Sequence, residues 1–366
     1  MASSQMIRGE AVAALPILPE LLQAAPFANR ALCLRQICTL AGSFDYAVAV
    51  PVRNEAALLG RMLSALGGAM RQAPQRGAAV FVVNDTQDDS VSLITQWARS
   101  HAISIALVDT VFAPEIRNAP HARRLALDLA AYVAPEGMLL TTDADSHVGP
   151  GWVDTYLTRL AMGADFVCED VRLDEDELTR LPDSVRRVGE IERAYFNASE
   201  QLWHRWTGGR AGPFAIRASG ASMAMRTAAY LAVGRLPTPV SGEDSALCAA
   251  MLAAGLSVEC LADIGTRTSA RLEGRTTRGC GDALAQRARL ADPPCDAALV
   301  PIATLRKRAL AFTCWTSQSL ESRLHPAGNS RPSHDRSRPM RASELESELE
   351  LALTMLRMPD NVGADA

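Results

Sequence analysis

Apolar residues recur along the first half of the chain in short continuous runs that alternate with stretches of helical spacing. The runs "YAVAVPV" (46–52) and "AVFVVN" (79–84) predict buried strands, whereas "AALLGRMLSALGGAM" (56–70) predicts a helix. The alternation continues through "ISIALVD" (103–109) and "GMLLTTDAD" (137–145). Strict alternation of strands and helices is typical of βαβ units. We therefore expect an α/β fold, with a Rossmann-like, mostly parallel sheet flanked by helices.

The pattern changes toward both ends of the chain. Residues 1–44 are rich in Ala and Leu and predict one or two short helices, which form an N-terminal helical extension. We place the α/β domain at 45–285 and a C-terminal helical extension at 286–366. Within that extension, the composition of about 325–341 predicts a flexible linker.

A final amphipathic helix at 343–358 carries a stripe of leucines. Such a stripe must pack on the same chain or on a second copy, so self-association through this helix is a candidate property. The leucines of the stripe are Leu345, Leu349, Leu353 and Leu356.

Composition narrows the classes of function. The net charge of -4 argues against nucleic-acid binding, which usually brings a basic surplus. The eight cysteines form no paired CxxC motifs, so we expect no structural zinc site and a reduced, cytoplasmic protein. No signal peptide and no long uncharged apolar segment is recognisable, so we expect no transmembrane segment.

Polar residues end each of the predicted strands. Asn54 and Glu55 follow the first strand, Asp85 the second, and Asp143 and Asp145 the fourth. Ligands of open α/β sheets bind beyond the carboxyl ends of the strands, so these side chains are expected to converge on one rim.

Asp143 and Asp145 are the strongest candidates for metal binding. Two like charges at this spacing repel unless a positive group lies between them. Two carboxylates suit Mg²⁺ or Mn²⁺, with substrate phosphates completing the coordination. The alternative interpretation is a pair of solvated aspartates in a turn.

Other rim residues suit a nucleotide ligand. The Asp85 carboxylate can accept from a base N–H or a ribose hydroxyl, and Glu55 can accept from a ribose hydroxyl. Arg123 lies in the first turns of a predicted helix, near its positive end. Taken singly, each of these residues is equally compatible with a solvated loop or a surface ion pair.

Four motifs, in this order and spacing, resemble family 2 glycosyltransferases of the GT-A fold. They are "VPVRNE", "VVNDTQDDS", "TTDADSHVGPGWV" and "GASMAMRTAAYLAVGRLPTPVSGEDSALCAAMLAAG", and together they cover roughly 45–265. The resemblance implies a nucleotide-diphospho-sugar donor, a divalent metal held through Asp143 and Asp145, and inversion at the sugar carbon. The residues expected to bind the donor nucleotide are Pro51, Asn54, Glu55, Asp85, Arg123 and Asp143.

The same resemblance makes Asp244 the general base, with Glu243 beside it. The chemistry agrees, because an acceptor hydroxyl must lose its proton as it attacks, and a nearby carboxylate can take it. The alternative is that both acidic residues only complement the dipole at the start of a helix.

Two further sets of residues are weaker candidates. Arg271 and Arg275 lie in a glycine-containing basic segment that can close over a diphosphate or remain a solvated loop. Trp203 and Trp206 lie in a predicted glycine-rich loop at 203–214 and can stack on a sugar acceptor, although tryptophans more often lie in a core.

The predicted function is therefore metal-dependent, inverting transfer of a sugar, most simply from a UDP-sugar, to an acceptor hydroxyl on a small molecule, lipid or glycan. One alternative is a haloacid-dehalogenase-type phosphohydrolase, but three βα units precede the paired aspartates here. A nucleotidyltransferase would need a basic, glycine-rich loop after the first strand. An inactive nucleotide-sugar-binding scaffold is the non-enzyme alternative, and it would release no nucleoside diphosphate.

Overall fold

The computed structural model describes residues 15–209, 217–274, 279–317 and 338–358. Contacts within the chain divide it into two compact units. Unit 1 combines the described residues up to 174 with 217–269, and unit 2 combines 175–209 with the described residues from 270 onward.

Unit 1 is built on an eight-stranded sheet, as far as the described residues go, with a second sheet of three short strands. The strands are β1 (Ala31–Cys38), β2 (Tyr46–Val52), β3 (Gly77–Asn84), β4 (Ile105–Phe112), β5 (Met138–Thr141), β6 (Ser146–His147), β7 (Phe166–Glu169), β8 (Arg172–Leu173), β9 (Met223–Arg226), β10 (Val258–Leu261) and β11 (Arg267–Thr268). The helices of unit 1 are α1 (Leu18–Gln23), α2 (Ala56–Gln72), α3 (Ser90–His101), α4 (Ala119–Val133), α5 (Trp152–Ala161), α8 (Thr227–Ala232) and α9 (Glu243–Ala253). The helices of unit 2 are α6 (Glu175–Leu178), α7 (Asp183–Thr207), α10 (Cys280–Arg289), α11 (Ile302–Ser317) and α12 (Ala342–Arg357).

The large sheet has the order β1-β4-β3-β2-β5-β9-β7-β10. Strands β4, β3, β2 and β5 run parallel to one another, and β10 runs parallel to β7. Two strands run the other way: β1 pairs antiparallel with β4, and β9 lies antiparallel between β5 and β7. The small sheet has the order β6-β11-β8. The predicted α/β fold with a mostly parallel sheet is confirmed.

Helices cover both faces of the central strands. Val48 and Val50 of β2 pack into the core that α2, α3 and α5 share. Successive strand residues point to opposite faces, so Ala47 and Ala49 lie on the side where α4 packs on β2. Burial on both faces explains why the central strands are continuous apolar runs rather than alternating ones.

The N-terminal segment differs from the helical extension that the sequence predicts. Its described part contains one short helix, α1, and then β1, an edge strand of the large sheet. Leu32 and Leu34 of β1 are 64% and 59% exposed. The segment becomes a strand because β4 offers an edge to pair with, and such tertiary pairing outweighs local preference.

Unit 2 is helical and includes more of the chain than the predicted extension from residue 286. Helix α7, which the prediction placed in the α/β domain, packs against α10, α11 and α12. The core of this unit includes Tyr195 and Leu202 of α7, Leu305 of α11 and Leu345 of α12.

The terminal leucine helix therefore packs within its own chain. Leu345 is fully buried, Leu349 and Leu356 are partly buried, and Leu353 is 40% exposed. Arg205 of α7 donates to the carbonyls of Met355 and Leu356 at the end of α12. Most of the predicted linker, residues 325–337, lies outside the described residues. Among the described helices, none is long and apolar enough to cross a membrane.

Candidate active site

Asp143 and Asp145 lie on a tight turn after β5. The N–H of Ser146 donates to the carbonyl of Asp143 at 3.1 Å, which closes the turn. Between the two aspartates, Ala144 is 3% exposed and packs into the core. This buried side chain holds the turn in place. The Asp143 side chain is 32% exposed, and Asp145 is also partly exposed.

A buried arginine supplies the positive charge beside this turn. Arg123 lies in the second turn of α4, and its side chain is only 4% exposed. Its Nη2 donates to Oδ1 of Asp143 at 2.6 Å, and its Nε donates to Oε1 of Glu243 at 3.1 Å. Its Nη1 donates to Oγ1 of Thr141 at 3.0 Å and to the carbonyl of Gly220 at 2.8 Å.

The electrostatic balance around Arg123 favours its charged form. Burial by itself lowers the pKa of the guanidinium, but the carboxylates of Asp143, Glu243 and Asp244 outweigh burial and raise that pKa. Four hydrogen bonds to neighbouring groups hold the side chain in this position. In the structure, Arg123 holds two acidic residues of the candidate site in place, and its role in binding the donor nucleotide stays a prediction.

Asp244 lies at the start of α9, next to the same cluster. Its Oδ2 accepts from the N–H of Gly220 at 3.0 Å, and its Oδ1 accepts from the N–H of Ser245 at 2.7 Å. Burial raises the pKa of Asp244, and the charge of Glu243 raises it further, against the opposing effects of these hydrogen bonds and Arg123. A carboxylate with a raised pKa is a stronger base than an ordinary aspartate.

Gly220 joins the two halves of the cluster, a role that the sequence did not reveal. Its N–H binds Asp244, and its carbonyl accepts from Arg123. A Cβ at this position would overlap the Arg123 guanidinium, so any larger residue would displace that group from its contacts. The small residues of "SGAS" just before β9 are the only sequence signal for such a close approach.

The residues predicted at the nucleoside end are brought close together by bonds between two loops. Oδ1 of Asn54 accepts from the N–H of Gln87 at 2.8 Å, and the N–H of Asn54 donates to Oγ1 of Thr86 at 3.2 Å. The N–H of Glu55 donates to Oγ of Ser90 at 3.3 Å. The loop after β2 is therefore attached to the loop after β3. Partly exposed Pro51 lies on β2 just before its loop.

Asp85 lies at the end of β3, as predicted, and pairs with Arg117. The Nε of Arg117 lies 2.9 Å from Oδ1 of Asp85, whose side chain is 9% exposed. Oδ2 of Asp85 accepts from the N–H of Phe112 at 3.3 Å. Arg117 has no distinguishing pattern in the sequence, because it is a single charged residue in a loop.

The remaining candidates belong to unit 2 or lie outside the described residues. Trp203 and Trp206 are part of α7 rather than a loop, and both pack in the core of unit 2, where Trp203 lies 5.5 Å from Phe312 between ring centroids. With an exposure of 2%, Trp203 matches the core interpretation rather than acceptor stacking. Arg271 belongs to unit 2, and Arg275 lies outside the described residues.

The residues of the turn suit a hard divalent cation. Asp143 and Asp145 supply carboxylate oxygens from one partly exposed turn, the donor type that Mg²⁺ and Mn²⁺ prefer. Among the described residues, no group of three or more His, Cys, Asp or Glu side chains could hold a metal ion. A cation at this turn therefore needs further oxygen ligands from substrate phosphates or water.

No family model and no curated protein matches the sequence. Several solved structures are similar over much of the chain. A fragment of TarS from S. aureus, solved with UDP-GlcNAc, is 14% identical, with a TM-score of 0.43; the match covers 63% of this chain and 60% of that one. The mannosyltransferase PcManGT from Pyrobaculum calidifontis, solved with GDP-Man and Mn²⁺, is 20% identical, with a TM-score of 0.46 and coverage of 78% and 80%.

A third similar structure is glucosyl-3-phosphoglycerate synthase from Mycobacterium tuberculosis, in complex with Mn²⁺, UDP and glucosyl-3-phosphoglycerate. It is 16% identical, with a TM-score of 0.38 and coverage of 67% of this chain and 76% of that one. Likenesses this distant do not establish a shared function. Any function has to be argued from the residues of this chain.

Proposed function

We propose that the chain is a metal-dependent, inverting glycosyltransferase of the GT-A type. It moves a sugar from a nucleotide-diphosphate donor, most simply a UDP-sugar, to an acceptor hydroxyl. The observation that carries this proposal is the bridge that Arg123 makes between Asp143 and Glu243. This bridge brings together two acidic motifs that are widely separated in sequence, one suited to a metal diphosphate and one suited to a base.

On the donor side, Asp143 and Asp145 would hold Mg²⁺ or Mn²⁺ against the diphosphate. When bound, the cation would neutralise the charge that develops on the leaving diphosphate. Asp143 would offer its second oxygen to this ion, because Arg123 binds the first. The loops that carry Asn54, Glu55 and Asp85 would then receive the nucleoside.

On the acceptor side, Asp244 takes the proton from the attacking hydroxyl. Burial raises its pKa, which strengthens it as a base, and the N–H groups of Gly220 and Ser245 fix its carboxylate. Glu243 acts through Arg123, because its Oε1 is hydrogen-bonded to that guanidinium. Glu243 is therefore a positioning residue rather than a second base.

The phosphohydrolase alternative fits the site less well. A haloacid-dehalogenase-type enzyme uses the first aspartate of its motif as a nucleophile, which needs a carboxylate oxygen directed at the substrate. That motif normally lies on the first strand of its core, whereas here Asp143 follows β5, the fourth of the parallel strands β2, β3, β4 and β5 along the chain. The acceptor class and the cytoplasmic location stay predictions.

Two measurements test the proposal. Thermal shift with a panel of nucleotide sugars, each with and without Mn²⁺, should give one donor whose stabilisation requires the metal, because a ligand of the folded state raises the melting temperature. The same donor should then release nucleoside diphosphate in the presence of a suitable acceptor. If no nucleotide sugar is bound or turned over in the presence of Mn²⁺, the proposal is wrong. If the donor binds but is never turned over, the scaffold alternative is favoured.

A further inference from the structure

Three cysteines from three elements lie close together beside the sheet edge. Cys168 of β7 and Cys260 of β10 are directly aligned partners in a parallel strand pair. Aligned residues of neighbouring strands point to the same face. Cys248 of α9 lies near both thiols, and it is buried, as is Cys168, whereas Cys260 is exposed.

The distance between the aligned strands suits a covalent bond. Neighbouring strands lie about 4.8 Å apart, and disulfides join residues whose Cα atoms are roughly 4.4–6.8 Å apart. Each thiol donates to a backbone carbonyl of β10: Sγ of Cys168 to Glu259 at 3.7 Å, and Sγ of Cys260 to Leu261 at 3.9 Å. Both sulfur atoms therefore lie along β10, on strands that are in direct register at these two cysteines.

The two thiols differ in a way that suits an attacking and a resolving role. The neighbouring Cys260 raises the pKa of Cys168, and burial raises it further, so Cys168 keeps its proton. Because Cys260 is the exposed member, it meets a dissolved oxidant first.

We propose that Cys260 and Cys168 are an oxidisable dithiol that forms an intramolecular disulfide with a peroxide as the oxidant. The Cys260 thiolate attacks one peroxide oxygen, the O–O bond breaks, and the departing hydroxide becomes water, which leaves a sulfenic acid. The Cys168 sulfur then attacks the sulfenic sulfur, the S–S bond forms, and hydroxide leaves with the Cys168 proton as a second water. Two thiols and one hydrogen peroxide thus give one disulfide and two waters.

The location of this pair links it to the candidate base. Cys248 follows Asp244 by about one helical turn, so both residues lie on the same side of α9. The charge of Asp244 also raises the pKa of Cys168 and of Cys248. The disulfide therefore forms against the helix that carries Asp244, but its formation does not depend on the proposed glycosyl transfer.

Peptide mapping of the full-length, reduced protein tests this pairing directly. The protein is treated with hydrogen peroxide, its remaining thiols are alkylated, and it is digested without reduction for mass spectrometry. We expect a linked peptide pair that contains Cys168 and Cys260, a loss of two titratable thiols per chain, since one disulfide consumes two thiols, and recovery of both with dithiothreitol. Mapping the unaltered chain needs no substitution, so the test does not depend on a variant that folds.

Two variants sharpen the assignment. Cys248→Ser removes the third thiol, and the linked peptide should persist at the wild-type yield. Cys168→Ser removes the resolving thiol, and Cys260 should then stop at a sulfenic acid that dimedone traps, or proceed to sulfinic acid. The proposal is overturned if wild-type Cys260 is oxidised to sulfinic acid while Cys168 stays reduced. It is also overturned if the linked pair joins Cys248 to Cys260.

Discussion

Arg123 and Asp143 form a short ion pair, with 2.6 Å between Nη2 and Oδ1, inside unit 1. The same guanidinium lies 3.1 Å from Oε1 of Glu243. One buried cation therefore binds two acidic residues that are distant in sequence: Asp143 is 20 positions from the arginine, and Glu243 is 120 positions from it. Both the stability and the proposed chemistry of the site depend on this arrangement.

Arg123→Ala should destabilise unit 1 strongly. Removing one partner of a buried ion pair leaves the remaining charge without compensation, which costs about 3–5 kcal/mol. The free energy of unfolding from urea titration measures the loss. Arg99→Ala, at an exposed position in the last turn of α3, is the matched control and should change that free energy by less than about 0.5 kcal/mol. Equal effects of the two substitutions would show that the Arg123 contacts contribute little.

Asp145→Ala should abolish metal-dependent donor binding. The turn offers few carboxylates, so the loss of one leaves too few protein oxygens for Mg²⁺ or Mn²⁺. Calorimetric titration of Mn²⁺ in the presence of a nucleoside diphosphate measures the effect. Asp154→Ala, an exposed aspartate in the first turn of α5, should bind as the wild type does. Full activity of the wild type in EDTA would contradict the metal role.

Asp244→Asn should lower turnover by about 10²–10⁴-fold, which is the usual contribution of general acid–base catalysis. Donor affinity should change little, because the donor is held at the other side of the cluster. Glu243→Gln should have a smaller effect on turnover, since the amide oxygen can still accept from Arg123. A severe loss in Glu243→Gln together with a near-normal Asp244→Asn would reassign the base to Glu243.

The raised pKa of Asp244 predicts the direction of the pH dependence. The base must be ionised, so turnover should rise with pH through a pKa above the ordinary aspartate value. Stability follows the opposite course: the folded state holds the Asp244 proton more tightly than the unfolded state does. Its contribution to stability is therefore present below the unfolded pKa of about 3.9 and is lost as the pH rises through the folded pKa. A turnover profile with the same acidic limb in Asp244→Asn would assign that limb to another group.

Asp85→Ala should weaken the binding of the nucleoside diphosphate, as the rim position predicts. In the structure, Arg117 pairs with this carboxylate and also donates to the carbonyl of Phe112. Arg117→Ala leaves Asp85 in place. Comparing the two variants therefore shows whether Asp85 contacts the nucleotide itself or acts by positioning Arg117. If calorimetry finds unchanged affinity in Asp85→Ala, Asp85 does not belong to the donor site.

Leu345→Ala should destabilise unit 2 by about 2–5 kcal/mol, as for other buried leucines. Leu345 is fully buried, whereas Leu353 on the same helix is 40% exposed. Leu353→Ala is therefore the matched control and should cost much less. Thermal and urea unfolding of the two variants give the comparison. The packing also predicts that a chain truncated at residue 325 loses stability, because it lacks α12.

Many of the strands and helices of unit 1 were predicted from the sequence, and the elements that were not predicted have physical explanations. Buried parallel strands such as β2 are continuous apolar runs, and local pattern identifies them. The strand β1 was not identified, because its leucines face solvent and its pairing with β4 is a long-range effect. Trp203 and Trp206 were expected in a loop, yet α7 continues through both before Gly208 ends it in a left-handed conformation.

The candidate site was likewise predicted only in part from the sequence. Strand ends indicated Asp85, Asp143 and the rim on which they lie, since parallel strands place their carboxyl ends together. Periodicity gives no information about which distant groups an arginine meets, so the contacts of Arg123 with Glu243 and Gly220 appeared only in the structure.

The order of the chain has a consequence for synthesis on the ribosome. Helix α7 exposes an apolar face that includes Tyr195 and Leu202, and that face is covered in the finished protein by α11 and α12. Both covering helices are translated long after α7, because the last strands of unit 1 come between them. Until they emerge, the nascent chain carries an uncovered hydrophobic helix, the kind of surface that chaperones bind and that promotes aggregation. Slow translation between α9 and α11 should therefore lower the yield of folded protein more than an equal delay before α7.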